Sequence, residues 1–265
     1  MPSVSYINCK NEKIDFIKPR FVVTDASEIF SNSWKYDTNY SRITHFKRDI
    51  FLFKFSVATD LLNANKLIEI TEKDVRMDEY GTLLCNGWYL PCWCISVTTK
   101  KYFKHSDLVE LQLEIVTDQK AWNRETKFVY REGRETKEGV NYPYDYPYDF
   151  ASEAMLFELN NKSFTECDFR MTIYGYAQNP KVSIGTQEYS VNTRVDVNEY
   201  LVIDSNFCTV KRTDKRGVVI NEYPNINLDS YIFQKIQPGN YAINTNADFS
   251  LDIVIIEERS EPEWI

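Results

Sequence analysis

From residue 51 to residue 58 apolar and polar positions alternate along the chain. Phe51, Phe53, Phe55 and Val57 fall on one side; Leu52, Lys54, Ser56 and Ala58 fall on the other. The same period of two returns at Val109, Leu111, Leu113 and Ile115, at Phe169, Met171 and Ile173, and at Phe249, Leu251, Ile253 and Ile255. Side chains two apart share one face of a strand, so each run predicts a strand with one face in a core. Shorter runs of this kind lie near 88–97, 181–191, 199–204, 207–212, 217–220, 231–236 and 240–245. Turn-forming residues separate them: Asn86-Gly87, Asn179-Pro180, Asp214-Lys215-Arg216-Gly217 and Pro238-Gly239-Asn240. Many short strands spaced this closely predict an all-β protein built as a sandwich or barrel. One short helix is expected from Asp60 to Lys66, with a continuation through 71–79, and no segment shows a long stripe of period 3.6.

The pattern is interrupted once, by Tyr142-Pro143-Tyr144-Asp145-Tyr146-Pro147-Tyr148-Asp149, two copies of Tyr-Pro-Tyr-Asp. Proline fixes its own φ and holds the preceding residue extended, so the segment reads as a stiff connector. The polar, glycine-bearing stretch 131–139 just before it reads as a loop. The expected division is a domain over 1–141, a linker over 142–149 and a second domain over 150–265. The tyrosines either cover a neighbouring sheet edge or, as at Tyr144 and Tyr148, form an aromatic contact strip for a partner.

Composition narrows the function classes. Of 265 residues, 43% are hydrophobic, enough for a sizeable core. The 18 Tyr and 16 Phe favour strands. Only 8 Gly are present, which leaves little material for glycine-rich phosphate loops. The 31 Lys and Arg against 39 Asp and Glu give a net charge of −8, which disfavours electrostatic capture of nucleic acid or an anionic membrane. The first ten residues have no apolar core of a signal peptide, and no run of 18 apolar residues predicts a membrane-spanning helix.

Catalytic chemistry finds few residues to work with. His45 and His105 are the only histidines, so a Ser or Cys nucleophile in the second half would lack its usual base. No dinucleotide, phosphate-loop, metalloprotease or nucleophile-elbow motif occurs. The six cysteines stand at 9, 85, 92, 94, 167 and 208. Cys92 and Cys94 fall on one face of a strand, where cysteine acts as a small buried hydrophobe. Asp145 with Asp149, Glu257 with Glu258, and Asp204 read as solvated or turn carboxylates. No catalytic, cofactor-binding or metal-binding residue is assigned, and no cofactor is expected. Lys211, Arg212, Lys215 and Arg216 form a small basic hairpin tip. Alternation alone does not bury Trp88, Trp93, Phe103 and Trp122, and these aromatics in the first half are the expected interface anchors.

From about residue 168 the elements follow a recognisable order. Phe169-Arg170-Met171-Thr172-Ile173-Tyr174-Gly175 is followed by Asn179-Pro180, by Leu201-Val202-Ile203-Asp204-Ser205 and by Gly217-Val218-Val219-Ile220-Asn221. Ile232-Phe233-Gln234-Lys235-Ile236-Gln237-Pro238-Gly239-Asn240 then precedes the last strand and Glu261-Pro262-Glu263-Trp264. With Gly81-Thr82-Leu83-Leu84 and Asn86-Gly87-Trp88-Tyr89-Leu90 upstream, this order resembles the phage distal tail protein family of Gram-positive bacterial phages and prophages. The resemblance implies a structural, non-enzymatic protein of the virion tail: a homo-hexameric ring built by the first domain, with a galectin-like β-sandwich as the second. It implies as partners the tail tube protein, the tail-tip hub or tail-associated protein and the tape measure protein. DNA would pass through the ring without specific binding, and no membrane is involved. A reading from another class is a carbohydrate-binding module for the host surface. Galectins use a His-Asn-Arg cluster and a stacking Trp, whereas the second half here has no His and only Trp264. A cell-wall hydrolase is the third.

Overall fold

A computed structural model describes residues 3–17, 19–31, 34–40, 42–47, 51–131, 157–247 and 249–264. The chain forms two compact units, one of Met1–Arg124 with Glu258–Ile265, the other of Glu125–Glu257. It passes between them inside two strands and not at a loop. The expected linker 142–149, including Tyr144 and Tyr148, lies outside the described residues.

In the first unit the strands are β1 (Val4–Ile7), β2 (Lys13–Asp15), β3 (Phe21–Asp25), β4 (Lys35–Asn39), β5 (Arg42–Lys47), β6 (Phe51–Asp60), β7 (Gly81–Cys85), β8 (Trp88–Phe103), β9 (Leu108–Thr117) and the start of β10 (Trp122–Tyr130). The organising strand is β8. Its first half pairs with β7, from Cys85↔Trp88 to Gly81↔Cys92, and its second half pairs with β9, from Trp93↔Val116 to Phe103↔Leu108. Register shifts at Cys94/Ser96 and Thr99/Lys101 interrupt its pairing with β9, as bulges do. One strand therefore serves two layers, β8-β7-β1-β2 and β3-β6-β9-β8. The β7–β8 hairpin closes on Asn86 (φ 50°) and Gly87 (φ 83°), the left-handed pair that a two-residue hairpin turn requires. Phe53, Phe55 and Val57 of β6 share a core with Leu111, Leu113 and Ile115 of β9 and with Leu83, Trp88 and Leu90.

The helix α1 (Leu61–Met77) is one continuous element of 17 residues. The sequence places a helix from Asp60 to Lys66 with a continuation through 71–79, and the structure joins the two stretches into one helix. The buried positions are Ala64, Leu67, Ile70, Thr71 and Asp74, spaced as one helical face. Two of the five are polar, so hydropathy hides the stripe. Asp60 caps the helix by accepting from the Asn63 backbone N–H at 2.8 Å. That bond, opposed by slight desolvation, holds its carboxyl below the usual value.

The second unit contains β11 (Phe157–Asn161), β12 (Asp168–Tyr174), β13 (Ala177–Gln178), β14 (Lys181–Ile184), β15 (Gln187–Ser190), β16 (Arg194–Val195), β17 (Tyr200–Asp204), β18 (Thr209–Thr213), β19 (Val219–Asn221), β20 (Gly239–Thr245) and most of β21 (Ser250–Arg259). Two antiparallel layers, β19-β18-β17-β12-β21 and β11-β20-β14-β15, bury their alternate residues in one core. Met171, Ile173, Leu201, Ile203, Leu251 and Ile253 from the first meet Leu159, Val182, Tyr189 and Ile243 from the second. The expected strand at 231–236 is absent: Ile232 and Phe233 lie in a turn and pair with no strand. Gln234 donates its backbone N–H back to the Tyr231 carbonyl in a turn instead. The fold is all-β with one helix, and no helix among the described residues is long and apolar enough to cross a membrane.

Candidate interface

In the first unit β4 and β5 form a two-stranded sheet that pairs with no other strand among the described residues. Opposite residues share a face. Tyr36 faces Phe46 and Thr38 faces Ile43, while Asp37 faces His45 and Asn39 faces Arg42. A register shift between Asp37 and Thr38 keeps the aliphatic Ile43 on the aromatic side. The hairpin is therefore amphipathic. Every side chain described in it is exposed, Tyr36 and Phe46 each at 59%. A lone hairpin is marginally stable in water, and clustered exposed aromatic surface marks an interaction site. Trp34, just before β4, adds a further exposed ring.

A second open feature is the far half of β8. Residues Thr98 to Phe103 stand at the edge of the layer β3-β6-β9-β8, and all six are exposed. An edge strand offers unpaired backbone donors and acceptors to another chain. Its end carries Phe103, 39% exposed, with the Lys101 ammonium 4.7 Å from the ring centre. The other edge of this layer is β3.

The outward face of the same layer carries mixed charge. Lys54 pairs with Glu114 at 3.3 Å, Thr24 donates to Glu110 at 3.0 Å, and Lys100 donates to the buried Ser56 hydroxyl at 2.9 Å. The Lys54 and Lys100 cations thus stand among the Glu114 and Glu110 carboxylates on that face.

The expected anchors separate into two kinds. Trp93 is half-buried and its ring lies 4.1 Å from that of Tyr80, whose hydroxyl donates to Asp118 at 2.7 Å. Phe103 is exposed, as described. Trp88 and Trp122 are corrected: at 0% and 1% exposure they are core residues and offer no surface to a partner. Their strand faces turn into the first unit, where the Trp122 ring lies 6.4 Å from Phe53. The reading from sequence missed the β4–β5 hairpin. Its only signal is the exchange of aromatic and charged residues over 34–46, with no glycine or proline to mark the turn, which passes instead through Tyr40 at φ 46°.

Groups that could carry chemistry are held in structural roles. Cys85, Cys92 and Cys94 are buried and free of disulfides. Desolvation raises all three thiols, Cys85 and Cys94 to about 12, so none is a thiolate near neutral pH. His45 and His105 are exposed. Asp204 is buried and accepts from Arg170 at 3.2 Å, and Glu257 is buried beside Thr126. Among the described residues no three His, Cys, Asp or Glu are grouped to hold a metal.

No family model matches the sequence, and no curated protein matches it. Solved structures do match the fold over nearly its whole length. The Dit (gp 19.1) protein of phage SPP1, described as a paradigm of the hub adsorption apparatus in Gram-positive infecting phages, superposes with a TM-score of 0.60 at 9% identity. The match covers 98% of this chain and 99% of that one. A chain of the phage P2 baseplate in its activated conformation with calcium gives 0.58 at 14% identity, over 99% of this chain and 100% of that chain. The corresponding chain of the strontium form gives 0.57 at 14% identity, with the same coverage.

Proposed function

We propose that the chain is a distal tail protein, a structural part of a phage tail tip or baseplate that assembles as a homo-hexameric ring. The observation that carries this reading is the two-unit fold shared end to end with a hub protein and a baseplate chain. Fold alone does not fix function, but the surface supports the same reading. The amphipathic β4–β5 hairpin and the exposed edge of β8 lie in the first unit and suit a neighbouring copy. Open edges on opposite sides of one layer, β3 and β8, suit a head-to-tail contact, which closes into a ring when the rotation allows. Phe103 and Trp93 sit at or near this edge; Tyr36, Ile43 and Phe46 anchor the hairpin.

In this reading the ring joins the tail tube to the hub, and the tape measure protein and DNA pass through it. The second unit is a galectin-like sandwich. A wall around a moving duplex works best without counterion-releasing basic tracts. The mixed charge along β6, β9 and β8 and the net −8 per chain suit such a wall, and Lys211, Arg212, Lys215 and Arg216 would point away from it. No catalytic role is assigned. Negative-stain microscopy of the purified full chain tests the reading: sixfold rings with a central hole are expected, and a field of single-chain particles at micromolar protein would overturn it.

A further inference from the structure

The segment after β21 is bound back onto the first unit through side chains of opposite character. Glu263 accepts from Arg124 Nη1 through Oε2 at 2.8 Å and from Arg259 Nη1 through Oε1 at 2.7 Å. The same two guanidinium groups stand over the Trp88 ring, at 4.5 and 5.7 Å from its centre. The carboxylate therefore meets cations already positioned by an aromatic ring. One residue on, the Trp264 indole stacks on Phe30 with ring centres 4.1 Å apart and planes at 18°. The backbone is read as well. Asn86, in the β7–β8 turn, donates its side-chain N–H to the carbonyls of Glu263 at 2.7 Å and Trp264 at 3.1 Å, while its own oxygen accepts from the Ser3 backbone.

These contacts have the parts of a peptide-recognition site: a cationic pair for a carboxylate, a flat aromatic for a ring, and an amide that fixes the backbone. The covered Phe30 is buried while Trp264 above it stays 63% exposed, so the indole acts as a lid and not as a core residue. The connection from β21 to the bound pair is short and contains Pro262, a stiff hinge of the kind across which identical elements exchange between copies.

We infer that the site formed by Phe30, Asn86, Arg124 and Arg259, whose guanidinium groups the buried Trp88 ring positions, is a recognition site for an acidic-aromatic segment, and that a second copy of the chain can fill it with its own Glu263 and Trp264. The inference stands on this geometry and not on the ring. The bound segment of the same chain competes at an effective concentration on the order of millimolar, so exchange is visible only when that segment is removed or weakened.

The test uses a fluorescent peptide of residues 260–265, Ser-Glu-Pro-Glu-Trp-Ile, titrated with the chain ended at Ser260. Saturable binding is expected, at least about 10-fold tighter than to the full chain, and at least about 10-fold weaker for Glu263→Gln or Trp264→Ala peptides. Arg124→Ala in the shortened chain should abolish it. If the shortened chain fails to fold, the full chain carrying E263Q and W264A replaces it as receptor. Absence of binding to a folded receptor, or equal binding of the altered peptides, overturns the inference.

Discussion

The Tyr6 hydroxyl donates to Asp74 Oδ2 at 2.6 Å, joining the first strand to the helix across 68 residues of sequence. Asp74 is fully buried, and its second oxygen accepts from the Cys9 backbone N–H at 2.7 Å. Gly81 closes the site from the side: a Cβ there would collide with both the Tyr6 hydroxyl and the Asp74 carboxylate. Burial, with the neighbouring Cys92 and Asp74, keeps the phenol protonated far beyond its usual range. Asp74→Ala would leave the buried Tyr6 hydroxyl without an acceptor, at about 1–3 kcal/mol, and would also free the half-buried Cys9 N–H. Urea unfolding should register a loss of about 3 kcal/mol for Asp74→Ala and at least as much for Gly81→Ala; a change below about 0.5 kcal/mol, the range of ordinary surface substitutions, would refute the role of this site.

A second buried network makes stability depend on pH. Arg212 donates to Glu222 at 2.7 Å and to Glu199 at 2.8 Å, and Asn225 donates to Glu222 at 2.6 Å. Burial alone would raise the Glu222 carboxyl, but the bonds from Arg212 and Asn225 outweigh it and hold the group below its ordinary 4.5. Asp252 behaves alike: Lys127 and Arg131, paired to it at 2.8 and 2.7 Å, overcome its burial and hold it below 3.8. A carboxyl depressed in the folded state stabilises above its unfolded value, and that contribution disappears as pH falls through the folded one. Unfolding free energy should therefore be level near neutral pH and fall once the pH drops below the ordinary carboxylate values of 4.5 and 3.8. Arg212→Met should cost about 3–5 kcal/mol by stranding two buried carboxylates and should flatten the acid limb.

The aromatic residues can be sorted by experiment into core and surface. Trp122→Ala should destabilise the chain by about 3–5 kcal/mol, as truncation of a buried ring does. Tyr36→Ser with Phe46→Ser should change unfolding by no more than about 0.5 kcal/mol per site, as at exposed positions. The same pair should weaken self-association at least about 10-fold, the scale of removing an interface anchor. Sedimentation velocity across a concentration series checks this; unchanged association would remove the hairpin from the interface.

Much of the fold was legible because strands announce themselves locally. The alternation at Phe51 to Val57 and at Val109 to Ile115 needs no distant partner to be read, and the paired strands β6 and β9 run in register from Phe51↔Thr117 to Asp60↔Leu108. The helix is legible at its start and in its continuation, but its unbroken length is less so because its buried face includes Thr71 and Asp74, and the burial of Asp74 makes sense only once Tyr6 and Cys9 reach it. Trp88 and Trp122 were misjudged for the converse reason: large aromatics favour cores and interfaces alike, and only the packing of distant strands decides which. The hairpin and the Glu263–Trp264 groove were hidden because each is defined by what the rest of the chain does, leaving the first uncovered and closing over the second.

If the wall of the proposed ring is neutral to acidic, the assembled protein should not retain a duplex. Gel-shift titration with linear DNA at low salt is expected to show no complex at micromolar protein. Salt-sensitive micromolar binding would mean that Lys100, Lys101 or the 211–216 tip faces the channel, since each phosphate contact adds counterion-release affinity.

The mass of the free assembly tests the central proposal most directly. Native mass spectrometry of the full chain should give a species at six times the 31.3 kDa protomer, reduced to single chains by the Tyr36→Ser, Phe46→Ser pair. A spectrum of monomers alone, unchanged as concentration is raised, would contradict the account.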